Sequence, residues 1–360
     1  IVNWSRTGSL FFLDTTTVIN APGAQWNVPG DRRVFNQGTG GHRFINAGSL
    51  RKTGGSGELS FGHLGSFEST GTIEVVSGQL TLNRPKVSLA GGTVDLPVGT
   101  GLVMVGSESH VIENTTFTST DGLLRVPGGS LTVRNLTEWD GRIERRGATI
   151  VFTESMIFNG FVDSLSSQGV LSLQQPARFA GGGRFANLLS QDEIILEGDS
   201  QFGGLVRGNP AIHRGTLTIT SGLLGTGHLR NEASVIQTGS VSRFNNEDAD
   251  AVNAPGATWE VRGNRTIGAN SFLNEGRLER TEGTGDFSVR GLANTGEIEI
   301  QTGTLRLNFG NSSITDGTLT FGDGSTLYFD VGIHVIGADV IVTAPNATLR
   351  IDRDASASFQ

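Results

Sequence analysis

The chain contains no cysteine in 360 residues, so disulfide staples, thiolate metal sites and cysteine nucleophiles are excluded. Lysine occurs only at Lys52 and Lys86, tyrosine once and methionine twice. Charged residues make up 17% and the formal net charge is -8, and Arg32-Arg33 and Arg145-Arg146 are the only arginine doublets. Such a balance lacks the clustered positive footprint that nucleic acid requires, so no nucleic-acid partner is expected. No window approaches the roughly 18 apolar residues of a spanning helix, and the opening IVNWSRTGSL lacks the basic and apolar regions of an export signal. A membrane span is therefore not expected in this segment, and any export signal is expected outside it. Nine prolines without a G-X-Y period exclude collagen, and no eleven-residue stretch keeps the apolar rhythm of an amphipathic helix.

What the chain has in excess is glycine, 53 of 360 residues, about twice the usual share. Glycine precedes short segments in which apolar and polar residues alternate, as in Gly71-Thr-Ile-Glu-Val-Val, Gly78-Gln-Leu-Thr-Leu and Gly303-Thr-Leu-Arg-Leu. Period-two alternation bounded by glycine reads as half-buried strands joined by tight corners, where glycine is expected to supply a positive φ.

The strands recur in register. Taking the apolar residue after each corner as a marker, Leu50, Ile73 and Val94 are separated by 23 and 21 residues, and Leu278, Ile298 and Leu319 by 20 and 21. A period of 20 to 23 is too short for a propeller blade and suits one rung of a β-solenoid. The fold class expected is all-β, a right-handed parallel β-helix without substantial helix, of roughly 16 to 17 rungs. Ile73, Leu80, Leu82, Val94, Ile298, Leu305 and Leu319 are expected to point inward.

A longer period overlies the short one. Asn20-Ala-Pro-Gly-Ala24-x-Trp26 returns 233 residues later as Asn253-Ala-Pro-Gly-Ala257-x-Trp259, Phe44-x-Asn46-x-Gly48-x-Leu50 returns 228 later from Phe272 to Leu278, and His110-Val-Ile112 returns 224 later from His334 to Ile336. The organisation expected is one continuous solenoid over 1–360, with a complete super-repeat copy at 1–231 and a partial second copy at 232–360, cut from a longer array. A lone rung cannot close a core, so duplication lengthens the stack without a new folding problem.

The phrases Phe44 to Gly57, Asn294 to Leu307 and Ile19 to Trp26 resemble the β-strand repeats of very large bacterial secreted and surface proteins, similar in style to autotransporter passengers and filamentous-haemagglutinin-type adhesins. The resemblance implies an extracellular or cell-surface bacterial location and a structural solenoid forming a stalk, fibre or matrix filament. It also implies further copies of the chain as partners, stacked end to end or laterally, and cell-surface polysaccharide as a further partner. An adhesin or carbohydrate-binding surface is the alternative, and a polysaccharide-processing enzyme the third reading, since such scaffolds host many activities.

Candidate sites were weighed against structural roles. Asn46 and Asn274 keep one slot in the two copies, Asn294 fills it one rung on, and Ser69 fills it in the first copy. With Gly48, Gly71, Gly276 and Gly296 next to that slot, the reading is an internal ladder beside a corner rather than a row of ligands. No catalytic, cofactor or metal residues are assigned, and no enzymatic activity or cofactor is expected. The acidic stretch Asn245 to Asp250 and the Asp323-Gly-Ser segment read as solvated loops rather than calcium sites, because the calcium nonapeptide G-G-x-G-x-D is absent. Glu138, Asp140, Arg142, Glu144 and Arg145 around Trp139 are the strongest enzyme-like cluster, with Trp139 able to stack on a sugar ring. Their alternation with Leu136 and Ile143 reads instead as a charged solvent face. His110 and His334 are expected as buried or edge histidines, and Gly54 to Gly57 is too loose to cradle phosphate.

Overall fold

Among the described residues the computed structural model is all-β and without helix, its parallel strands stacked as a β-solenoid of about 15 turns. The structure describes every residue except 5–7, 14, 37–40, 119–121, 137, 165–169, 176, 181, 191–192, 208–210, 221, 225–226, 239–241, 245–248, 269–270 and 309; side chains are further left aside at 186–187, 203–207, 222–224, 227, 242–244 and 249. Two compact units divide the chain, Ile1–Gly182 and Gly183–Gln360.

In the first unit each turn contributes three strands. One turn runs Ser49–Lys52, Glu58–Gly62 and Ser66–Ser69, and the next runs Thr72–Val75, Gln79–Asn83 and Lys86–Ala90. Leu50 lies over Ile73 and Ile73 over Val94, while Leu59, Leu80 and Leu102 form a second column. All seven residues expected inside are buried, at 2% exposure or less. Parallel strands need a crossover between successive partners, and here the other two strands of each turn are that crossover. Aromatic rings pack within the core, with Phe44 4.7 Å from Phe61 and stacked on Phe67 at 5.5 Å.

The second unit repeats the plan. Arg277–Glu282, Asp286–Val289 and Leu292–Asn294 make one turn, and Glu297–Ile300, Thr304–Leu307 and Ser312–Ile314 make the next. Trp259, Leu278, Ile298 and Leu319 stack in one column, and Phe287, Leu305 and Leu327 in another.

Two expectations need correction. The step from turn to turn is not confined to 20 to 23 residues: Asn20 pairs with Asn46 across 26, whereas Ile194 pairs with Ala211 across 17. Nor is positive φ the reason for glycine at Gly48, Gly71, Gly276 and Gly296, none of which lies in that region. A Cβ on Gly71 would fall 2.0 Å from the Gly48 carbonyl oxygen, and one on Gly296 would fall 2.1 Å from that of Gly276. Corners stack backbone on backbone, and the side chain is excluded by the turn below. Gly92 and Gly317, next in those columns, meet the same clash and also carry φ of 72° and 89°.

Candidate functional site: an amide ladder and inward-facing cations

Asn46, Asn274 and Asn294 all end strands whose preceding inward residue is apolar, so period-two alternation turns them into the core. Each is buried. In the second unit the row is longer than its motif suggested: Asn231 Nδ2 donates to Asn253 Oδ1 at 2.8 Å, Asn253 to Asn274 at 2.7 Å and Asn274 to Asn294 at 2.6 Å. The second hydrogen of each amide goes to a backbone carbonyl at the next corner, that of Thr258, Arg277 or Glu297 in turn. Asn294 ends the row by donating to the carbonyls of Gly296 and Asp316. His213 begins it, its Nδ1 3.4 Å from Asn231 Oδ1. In the first unit Asn20 donates to Asn46 at 2.7 Å and Asn46 to the Ser69 hydroxyl at 3.0 Å, after which the column turns apolar at Leu89. Beside these rows the corner amides pair with the turn below, Gly48 N–H donating to the Asn20 carbonyl, Gly71 to that of Asn46, Gly276 to that of Asn253 and Gly296 to that of Asn274.

Among the described residues three cations also face inward. Lys52 follows Leu50 by two residues and is 1% exposed. Its ammonium donates to the Gly54 and Gly55 carbonyls at 2.6 and 2.8 Å and meets Asp31 Oδ1 at 3.0 Å, so the Gly54–Gly57 loop is filled by the chain's own cation. Arg280 is its counterpart in the second copy. Its guanidinium donates to the Glu282, Gly285 and Thr304 carbonyls and to Asn264 Oδ1, the residue in the position of Asp31. The loop amides close the same way, Gly57 N–H on Asp31 at 3.1 Å and Gly285 N–H on Asn264 at 3.0 Å. The Lys52 ammonium holds the Asp31 carboxyl below its ordinary value, while burial pushes Arg280 down. Arg145, buried at 2%, donates to the Ser164 hydroxyl and carbonyl and to the Ala148 carbonyl.

The cluster around Trp139 is divided between inside and outside. Trp139 is buried and packs edge-on against Phe117 at 4.7 Å, so it is not free to stack on a sugar. Arg145 is inside as well, and Glu144 is only 7% exposed, which corrects the reading of one continuous solvent face. Glu144 is held by Arg125 at 2.6 Å and Arg142 at 3.2 Å. On the outside, the Asn159 amide bridges Glu138 and Asp140, 2.6 Å from each.

His110 and His334 are each 1% exposed, and His42 and His213 are buried beside them in type. Backbone N–H groups of Thr16 and Val87 donate to Nδ1 of His42 and His110. Burial pushes the imidazoles of His110 and His213 below their ordinary value. Asp323 is exposed and accepts a hydrogen bond from Asn346 at 3.1 Å, and most of the acidic stretch from Asn245 lies outside the described residues. Among the described residues no group of three or more His, Asp or Glu side chains is placed to hold a metal ion, and no helix is long and apolar enough to cross a membrane.

The chain matches no family model, no curated protein and no solved structure.

Proposed function

We propose that the chain is a structural element of an extracellular bacterial filament, stalk or matrix, in which its turns stack on further copies of itself. The carrying observation is the stacking within each unit: successive turns repeat one plan in parallel register, and Asn231, Asn253, Asn274 and Asn294 tie four of them together through buried side-chain amides. The likeness of the repeats to bacterial surface solenoids supports the location. Internal ladders and clamped loops suit a load-bearing element, since buried hydrogen bonds tie successive turns along each ladder.

On this reading the chain carries no catalysis, and the side chains of the Trp139 cluster serve packing and face-to-face pairing. Electron microscopy of native material, together with sedimentation of the purified chain over a range of concentrations, tests the proposal. Filaments in the native sample and concentration-dependent self-association of the chain are expected. A capped, stable monomer in the native material, or polysaccharide cleavage abolished by the joint replacement of Glu138, Asp140 and Glu144 by alanine, would overturn it.

A second reading, carbohydrate binding on the same scaffold, is favoured by one feature. Phe11 and Phe35 stack in register on the outer face at 5.8 Å, Phe11 being 48% exposed, and such a pair offers a platform for sugar rings. Retention of the chain on immobilised surface polysaccharide, lost in Phe11→Ser/Phe35→Ser, would support it.

A further inference from the structure

His213 stands where the asparagine ladder of the second unit stops. In its column Leu196 lies one turn before and Asn231 one turn after. Asn231 Oδ1 also accepts the Ala233 N–H, and its Nδ2 is committed to Asn253 and Thr258, so the group facing His213 is an acceptor. Nδ1 of His213 must then carry the proton, and the lone pair is left on Nε2. Nε2 is buried and has no hydrogen-bond partner among the described residues. A proton taken up there would create a cation and an N–H with no acceptor, in an interior that disfavours both.

The neighbouring charges offer little relief. Beside the strand Ile194–Leu196 are Glu193, Glu197 and Asp199, and on or beside Gly227–Asn231 are His228, Arg230 and Glu232, with Arg214 adjacent in sequence. Glu197 and Glu232 are paired with Arg214, Arg230 with Glu232, and His228 with Asp250. Asp199 accepts the Thr216 N–H and acts on His213 only through space.

We infer that His213 is an acid-sensitive end stop for the ladder: neutral, it locks its turn to Asn231, and on acidification the turn opens so that the imidazole can take up its proton in water. The lowered proton affinity that burial gives His213 agrees in direction. With an unfolded value near 6.5, a buried neutral histidine makes the closed state roughly tenfold less favoured relative to the open one on going from pH 7.5 to 5.5.

The reporters are the amides of Arg214, which donates to the Leu196 carbonyl, and Glu232, which donates to that of His213. Hydrogen exchange of the full chain, corrected for intrinsic rates, is expected to show their protection falling about tenfold between pH 7.5 and 5.5. His213→Asn, which extends the ladder, and His213→Leu, which extends the apolar column, should each abolish that fall. In the wild-type chain the His213 ring resonances should shift with pH together with the loss of protection. The inference is overturned if protection is unchanged over this range, if either variant keeps the fall, or if the ring titrates near 6.5 while the amides stay protected.

Discussion

Asn253 donates its side-chain amide to Asn274 at 2.7 Å across one turn, and the same amide reaches the Arg277 carbonyl at 3.0 Å. A single side chain thus links the core column to the corner above it. Because every ladder member is both donor and acceptor, removing one leaves its neighbours with unmet groups in a dry interior.

For Asn274→Ala the expected loss is about 1 to 3 kcal/mol of unfolding free energy, the cost of stranding Asn253 Nδ2 and Asn294 Oδ1. Urea denaturation reads it directly. Asn294→Ala should cost less on its ladder side, since it strands only one ladder neighbour. Equal stability of Asn274→Ala and the wild type would mean that the amides contribute nothing beyond filling space.

Ile298 is fully buried between Leu278 and Leu319. Ile298→Asp places an unpaired carboxylate in that column and is expected to destabilise by several kcal/mol. Ile298→Val, which removes one methylene, should cost about 0.5 to 1.5 kcal/mol. Thermal unfolding of the pair separates buried charge from lost packing, and a mild effect of the aspartate would contradict the register.

The apolar columns were legible because side-chain direction in a strand depends only on parity, and Leu, Ile and Val mark the inward parity plainly. Where residue type conflicts with parity, parity wins. Trp139 lies between Glu138 and Asp140, which face out; Arg145 is two residues after Ile143, Lys52 two after Leu50 and Arg280 two after Leu278, and all four are inside. For Trp139 and Arg145 the charged neighbours suggested a surface, yet the i, i+2 rule already pointed all four inward. Asn20, Asn231 and Asn253 are not legible as ladder members for another reason: Pro22, Ala233 and Pro255 stand where Asn46 and Asn274 have the glycine two residues on that marks the slot.

Acid should weaken the first unit in two stages. Burial places His110 below its ordinary value near 6.5, so the folded state prefers the neutral ring. That contribution is complete above pH 6.5 and declines as pH falls through it toward the folded value. Asp31 is lowered chiefly by Lys52 and Glu68 by Arg43, so their contributions hold above the ordinary carboxylate range and are lost only below it. Denaturation midpoints should therefore decrease between pH 7 and 5 and again below about 4.5, and His110→Leu should remove the first stage alone. A midpoint unchanged from pH 8 to 5 would count against a buried neutral His110.

The two super-repeat copies contain a natural exchange at the loop clamp, Lys52 with Asp31 in one and Arg280 with Asn264 in the other. Both versions tie a buried cation to loop carbonyls and close the loop amide on the side chain below, so the negative charge of Asp31 is not essential to the geometry. Asp31 is 47% exposed and its ion pair is screened, which limits the worth of that charge. Asp31→Asn should accordingly cost under about 1 kcal/mol. The cations themselves are less forgiving. Lys52→Met would strand the Gly54 and Gly55 carbonyls and should cost about 2 to 4 kcal/mol, since bonds to a charged donor are lost together with their buried acceptors. Arg280→Lys should also be costly, because a single ammonium cannot reproduce a fork that meets Glu282, Gly285, Thr304 and Asn264 together. Urea denaturation of the three variants gives the expected order, with Asp31→Asn nearest the wild type. If Asp31→Asn proved the most damaging, the charge rather than the loop carbonyls would be what holds Lys52 inside.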